Sequence, residues 1–263
     1  MSMLIYDLPL WALFGLTMLL VAGSIEIGFR LGTSVRRKSG DEKESSVSSI
    51  AGTVLALLAF ILAFTFGIVA NRYDSRKELV REQAITISTA YDRTDFLPEP
   101  DRTTAKGLFD QYIAILIDIP NHDSTEEVGP MIAQLTALQR QLWDMGVKWV
   151  DSGELNTDIG SLYMDSLNQV GDVQALRVAV ALQARIPTGL WVVLGILVAL
   201  GMVAVGYQTA IADSRRSLAM LLLALSFSIV IVLIAALDNP ASGYLPVSQR
   251  PLVDMQSQTQ ANP

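Results

Sequence analysis

The chain reads as an all-α, multi-pass membrane protein in which four transmembrane helices form two hairpins around a helical extramembrane insert. Three observations predict this. Four uncharged, strongly apolar stretches run Leu8 to Ile25, Ser45 to Asn71, Ile186 to Ala212 and Ser217 to Leu237. Each approaches or exceeds the roughly 18 to 20 apolar residues that a helix needs to cross a bilayer core of about 30 Å. Between the two pairs lies an acidic block, Arg72 to Arg185, with 11 Lys/Arg against 18 Asp/Glu, so it must meet water. No part of the chain shows a convincing period-two strand pattern or an internal repeat. Because lipid offers no partner to a backbone amide, the four apolar stretches are expected to be helical.

The elements follow in order. The first hairpin occupies residues 1–71, with spans at about 8–28 and 49–71. A secretory signal would open on a basic region, but no Lys or Arg precedes Arg30, so the first span is expected to stay. The second span continues without Gly or Pro past Arg72 as far as Leu97, where Pro98-Glu99-Pro100 stops it. Within the 72–186 insert, further helices are expected from Asp101 to Ile119 and from Ser124 to about Val150. A third runs from about Asn156 to Arg185. Ser124 and Glu127 have capping-box spacing, while Gly129-Pro130 could delay that start. Pro187 either kinks a long helix or begins a new one. The second hairpin occupies 187–238, with spans at about 187–209 and 217–237. The tail, 239–263, carries Pro240, Pro246 and Pro251 and is expected to be extended.

Composition excludes several function classes. Cysteine is absent, which removes disulfides, thiolate catalysis and Cys-based metal sites. The lone histidine, His122, falls in a polar turn without a second imidazole for a metal pair or relay, and is expected to face solvent. There is no phosphate-cradling glycine loop or nucleophile elbow. No catalytic residue, cofactor or metal is therefore expected. An acidic balance without a basic stripe argues against nucleic acid as a partner.

The second span carries most of the functional information. Thr53, Leu57, Phe60, Phe64, Gly67 and Asn71 recur at alternating spacings of four and three, forming one stripe that is polar at its ends and aromatic in the middle. With several copies around an axis, Leu57, Phe60 and Phe64 would make an apolar constriction that gates by wetting, with Thr53 and Asn71 at its mouths. On its spacing alone the stripe reads first as a packing seam in which Gly52 and Gly67 let helices approach, since sustained spacing of this kind is more often core than conduit. Just beyond it, Arg72, Asp74 and Arg76 could form a charged ring at a pore mouth, or simply solvate the emerging helix.

At this point the residues resemble a family. Phe64-Thr65-Phe66-Gly67, followed by Asn71-Arg72-Tyr73-Asp74-Ser75-Arg76-Lys77, is similar to the second-helix segment of bacterial bestrophins, where an Arg, aromatic, acid, small, Arg pattern follows an apolar neck. The whole chain resembles the bacterial bestrophin-like membrane family. The matching residues are Ala90-Tyr91, Leu97-Pro98, Leu167-Asn168 with Asp172 and Arg177, Ile186-Pro187, and Asp238-Asn239-Pro240 with Gly243 and Val247-Ser248. The resemblance implies a pentameric ion channel in the bacterial inner membrane, self-associating, passing small inorganic ions, with Leu57, Phe60 and Phe64 near the neck. Thr53 and Ala56 depart from the denser apolar neck it would imply, and no acidic calcium clasp is matched.

Orientation evidence conflicts. The short connections hold seven Lys/Arg (Arg30, Arg36, Arg37, Lys38, Lys43, Arg215 and Arg216), which places them inside and the insert outside. The resemblance places the insert in the cytoplasm, and Arg72, Arg76, Lys77 and Arg81 agree with it. The loop count is followed here. Among the remaining candidates, Glu26 is an intramembrane or interfacial acid whose simplest partner is Arg30, four residues on. Asp238 marks an interfacial turn, or else a cation-selecting carboxylate at a pore mouth. Trp11 and Trp191 lie near membrane ends as anchors, while Trp143 and Trp149 belong in the insert. Asn168, Asp172 and Arg177 are expected to hydrogen-bond between helices. A second reading of the whole chain is a non-conducting membrane scaffold or sensor whose acidic insert receives a partner.

Overall fold

The computed structural model describes residues 8–38, 44–122, 124–152, 157–183, 186–213, 218–239 and 245–261. Lys43, Arg215, Arg216, Pro240 and Gly243 lie outside these. The described residues contain eight α-helices: α1 (Leu10–Lys38), α2 (Glu44–Arg93), α3 (Asp101–Asp118), α4 (Thr125–Ser152), α5 (Thr157–Gln183), α6 (Thr188–Ile211), α7 (Leu218–Asp238) and α8 (Arg250–Ala261). They divide into two compact units. One comprises Met1–Asn71 with Arg185–Ser242, the other Arg72–Ala184 with Gly243–Pro263. Four helices, α1, α2, α6 and α7, are long and apolar enough to cross a membrane.

The first unit is organised by close backbone approach between α1 and α6. Ser24, Gly28 and Gly32 recur every fourth residue on the buried face of α1, and Met202, Gly206 and Ala210 do so on α6. A Cβ added at Gly28 would collide with the Val203 backbone, and one at Gly206 with the Ile25 carbonyl. At Gly32 it would lie 2.7 Å from the Tyr207 carbonyl oxygen. Small residues let the two backbones touch, which is how helices associate where lipid removes the hydrophobic driving force. Within the protomer Gly52 and Gly67 do not serve this purpose: nothing lies within 4 Å of a Cβ built on either.

The second span is held differently. Ala51, Leu58, Leu62, Thr65 and Val69 form its buried edge, with Leu58 packed over Gly201 of α6. At one end the Gln208 amide donates to the Ser48 hydroxyl at 3.0 Å. Arg36 donates to the Ala210 carbonyl at 3.1 Å and pairs with Asp213, closing the α1 and α6 ends together. Pro187 caps a new helix rather than kinking a long one, with extended ψ of 138°. Trp191 is buried against the core of this unit, so the expectation of an interfacial anchor there is corrected, whereas Trp11 is exposed.

In the second unit, Val80, Ala84, Ile87 and Ala90 of α2 pack with Phe109, Tyr112, Ile113 and Leu116 of α3, and with Leu135 and Leu142 of α4. Leu167 and Val170 of α5 complete this core. The amide of Glu127 donates to the Ser124 hydroxyl at 3.2 Å, the main-chain half of a capping box, and α4 is not delayed by Pro130, which sits inside it. The α-helical part of α2 stops at Arg93 and tightens into a 3-10 turn, Thr94–Phe96, before Pro98. Glu99 then accepts from both the amide and hydroxyl of Thr103, capping α3.

The expected extended tail is wrong from residue 250 onward. Arg250–Ala261 is helical, and Leu252 and Met255 are buried in the core of the helical unit, with Thr259 on the same line. Pro251 does not prevent this because it occupies the first turn, where its missing N–H has no helical partner to lose.

Candidate functional site

The residues of the predicted stripe share one exposed face of α2. Leu57 is 50% exposed, Phe60 66% and Phe64 59%, large apolar side chains that no other helix of the protomer covers. Thr53 and Asn71 are also exposed and Gly67 is half-buried. The seam of the helix is instead the line Ala51, Leu58, Leu62, Thr65 and Val69, on roughly the other side at 100° per residue. Beside the aromatic ridge runs a second exposed line of small residues, Gly52, Ala56, Ala59 and Ala63. The packing-seam reading of the stripe therefore fails within the protomer.

The two threonines of this span are tied back to their own helix. The Thr53 hydroxyl donates to the Ser49 carbonyl at 2.9 Å, which leaves its oxygen lone pairs outward. The buried Thr65 makes the equivalent bond to Ile61 at 2.7 Å, satisfying a hydroxyl inside the apolar seam.

The three charges past the stripe do not stay together. Asp74 continues the line of the stripe, three residues beyond Asn71, and lies 3.4 Å from Lys77, whose ammonium also sits 5.6 Å from the Tyr73 ring centre. Glu78 follows on the same line and lies 3.7 Å from Arg81. Arg76, in contrast, is only 7% exposed. A ring that joins Arg76 to Asp74 on one face is corrected accordingly: Arg76 is buried and Asp74 exposed, because positions 74 and 76 lie about 200° apart on a helix.

Two acids of the membrane unit are structural. Glu26 accepts from Arg30 Nε at 2.7 Å, the helical pair that their spacing predicts. Asp238 is fully buried at the end of α7, where both of its carboxylate oxygens accept from the Ile186 amide at 3.2 and 3.0 Å, just ahead of α6. An anion there complements the orphan amides and positive dipole of a helix start, and the pore-mouth alternative for Asp238 is corrected.

Arg177 hydrogen-bonds between elements as expected, but its glutamine partners escaped the sequence reading. Arg177 donates to Gln83 and, at 3.3 Å, to Gln249 just before α8; Gln83 in turn donates to Gln174 at 2.6 Å. Gln83 is fully buried, and Tyr112 lies close to both Gln83 and Arg177. Burial lowers the Arg177 guanidinium to about 10, and burial raises the Tyr112 phenol well above its ordinary value. Asn168 and Asp172 are exposed and take no part. A Gln interrupting the apolar line Val80, Ala84, Ile87 was the signal available. Among the described residues, no group of three or more His, Asp or Glu could hold a metal ion.

The Bestrophin-like domain matches residues 15–252, nearly the whole chain. The chain belongs to the Bestrophin-like family. Its fold is similar to that of a bacterial Bestrophin homolog from Klebsiella pneumoniae, seen in two mutant crystal structures. The first has 14% sequence identity and a TM-score of 0.65, covering 94% of this chain and 98% of that one. The second, at the same identity and TM-score, covers 95% and 99%. A crystal structure described only as a membrane protein is similar at a TM-score of 0.60 and 14% identity, covering 95% and 99%. No functionally curated protein is similar in sequence. At such identities the solved structures establish a shared fold, and this bestrophin-like chain takes its family membership from the domain match.

Proposed function

We propose that this protein is a homo-oligomeric ion channel, pentameric in keeping with its family, in which α2 lines a central axis and Leu57, Phe60 and Phe64 form an apolar neck. The observation that carries the reading is the exposure of those three side chains, together with a family of ion channels rather than enzymes. Around an axis they would leave a short, dry constriction, and water would enter only when the helices part, so conduction would be gated by wetting. Thr53 and Asn71 would flank the neck with dipoles. The small line Gly52, Ala56, Ala59 and Ala63 beside the ridge offers neighbouring copies a place to approach.

Arg72 and Asp74, but not Arg76, would remain as charges near the end of the passage that adjoins the helical unit, with Glu78 beyond them. The protein would reside in the bacterial inner membrane, with the short basic connections inside and the helical unit outside. A cysteine placed at Ser124 in intact cells reads the side directly, because the native chain has no competing thiol.

Purified protein in planar bilayers tests the function. Single-channel currents that rise in the Phe60→Ala and Phe64→Ala variants support the neck, since a smaller side chain widens and wets it. Silence across ions and voltages, or a monomeric mass in mild detergent, overturns the proposal.

A further inference from the structure

One stripe of α1 is apolar at one end, basic at the other, and recessed along its length. Met18, Ala22, Ile25 and Phe29 of α1 line a mostly apolar groove of about 280 Å³ with Met220, Leu221 and Ala224 of α7, and Glu26, paired with Arg30, also lines it. Phe29 also opens the next recess, which holds Arg30, Thr33, Ser34, Arg37 and Lys38 among its described lining. At 1.5 Å per residue this second stretch, Phe29 to Lys38, rises about 14 Å, continuing from the hydrocarbon level into the headgroup layer.

The charges in it are unbalanced. Glu26 neutralises Arg30 through their 2.7 Å contact, and Arg36 is turned away to Asp213 and the Ala210 carbonyl. Arg37 and Lys38 are exposed and bind no acid among the described residues. Thr33 spends its proton on the Phe29 carbonyl at 2.8 Å, while the exposed Ser34 is turned outward beside them.

We propose that this stripe is a binding site for an anionic phospholipid, with one acyl chain in the α1–α7 groove and the phosphate held by Arg37 and Lys38. An acyl chain is what an apolar slot facing a bilayer receives. An Arg presents paired donors to phosphate oxygens, and a Lys beside it adds a mobile point charge. Basic residues just outside a span draw anionic lipid in this way. The site is separate from the neck of α2 and does not depend on conduction.

Native mass spectrometry of the full-length protein in mild detergent tests it, using phosphatidylglycerol and phosphatidylcholine with identical acyl chains. Phosphatidylglycerol should be retained about tenfold better or more, and Arg37→Gln with Lys38→Gln should remove that preference. Should the double variant be poorly folded, Ser34→Asp supplies the same reading from an exposed position. Ala22→Trp, which fills the groove, should weaken both lipids. Equal retention of the two lipids by the native protein overturns the proposal. So does glycerophosphoglycerol competing as well as the intact lipid, which would make the site a phosphate site alone. A third contrary result is a change of oligomer mass in the double variant with lipid retention unaltered, which would assign this face to contact between copies.

Discussion

The two stretches of α2 obey opposite rules. Up to Asn71, its largest apolar side chains, Leu57, Phe60 and Phe64, are outside, and its buried line is drawn from Ala, Leu, Thr and Val. From Arg72 onward, the apolar residues Val80, Ala84, Ile87 and Ala90 are inside, joined by Gln83 and Arg76, while Asp74, Glu78 and Arg81 face out and Ile85 is the large apolar exception among them. In water, apolar surface is driven inward at about 25 cal/mol per Å². Within lipid that drive is absent, so shape and small residues decide which helices touch. An exposed aromatic ridge is thus no anomaly in the membrane unit, but it has to meet something, whether lipid, another copy or a passage.

The contrast is sharpest at glycine. Gly28→Leu or Gly206→Leu should break the membrane unit outright, because the added atoms meet backbone that has no flexible end to move; the protein should lose its single peak on size exclusion. Gly52→Leu should leave folding intact, since its Cβ meets open space, and act only on assembly. Equal tolerance at Gly28 and Gly52 would refute the packing account.

The helical unit should answer to deletion of core volume instead. Leu252→Ala removes a fully buried anchor of α8 and should cost about 2 to 4 kcal/mol, with proteolysis appearing near residues 245–249. Next, Gln83→Ala removes the acceptor of the half-buried Arg177 and should cost about 1.5 to 3 kcal/mol. Pairing Gln83→Leu with Arg177→Met should cost less than Gln83→Ala alone, as thermal melting can show.

The smallest effects concern phenols. Tyr163 is buried with its hydroxyl unpaired, so Tyr163→Phe should be neutral or stabilise by up to about 1 kcal/mol. Burial raises Tyr112 and Tyr163 above the ordinary tyrosine value. A phenol raised on folding keeps its contribution below the unfolded value near 10 and loses it as pH climbs past that point. Ultraviolet titration should therefore show these two ionising late, and only as the fold opens.

The architecture was legible because membrane crossing imposes length. Leu8 to Ile25 and the three later stretches could only be long helices, and Pro98 and Pro187 punctuated the chain as their missing N–H requires. The stripe on α2 was legible as a periodicity but not as an exposed face, since spacing of four and three is shared by seams and by pore linings. Gly28 and Gly206 were passed over because a glycine's neighbour across a helix pair is not written beside it. The terminal helix was obscured by prolines whose cost depends on position: Pro251 in a first turn is harmless, and Leu252, Met255 and Thr259 already carried the helical period. Gln83 and Gln249 lie far apart along the chain, and only folding brings them to Arg177.

Cysteine scanning across α2 in planar bilayers, with a charged thiol reagent and an otherwise cysteine-free chain, tests the pore-lining claim most directly. Leu57→Cys, Phe60→Cys and Phe64→Cys should yield currents that the reagent alters, while Leu58→Cys and Leu62→Cys on the buried edge should yield currents it leaves unchanged. Currents altered only at the buried edge, or altered at no position, would contradict an axis lined by the aromatic ridge.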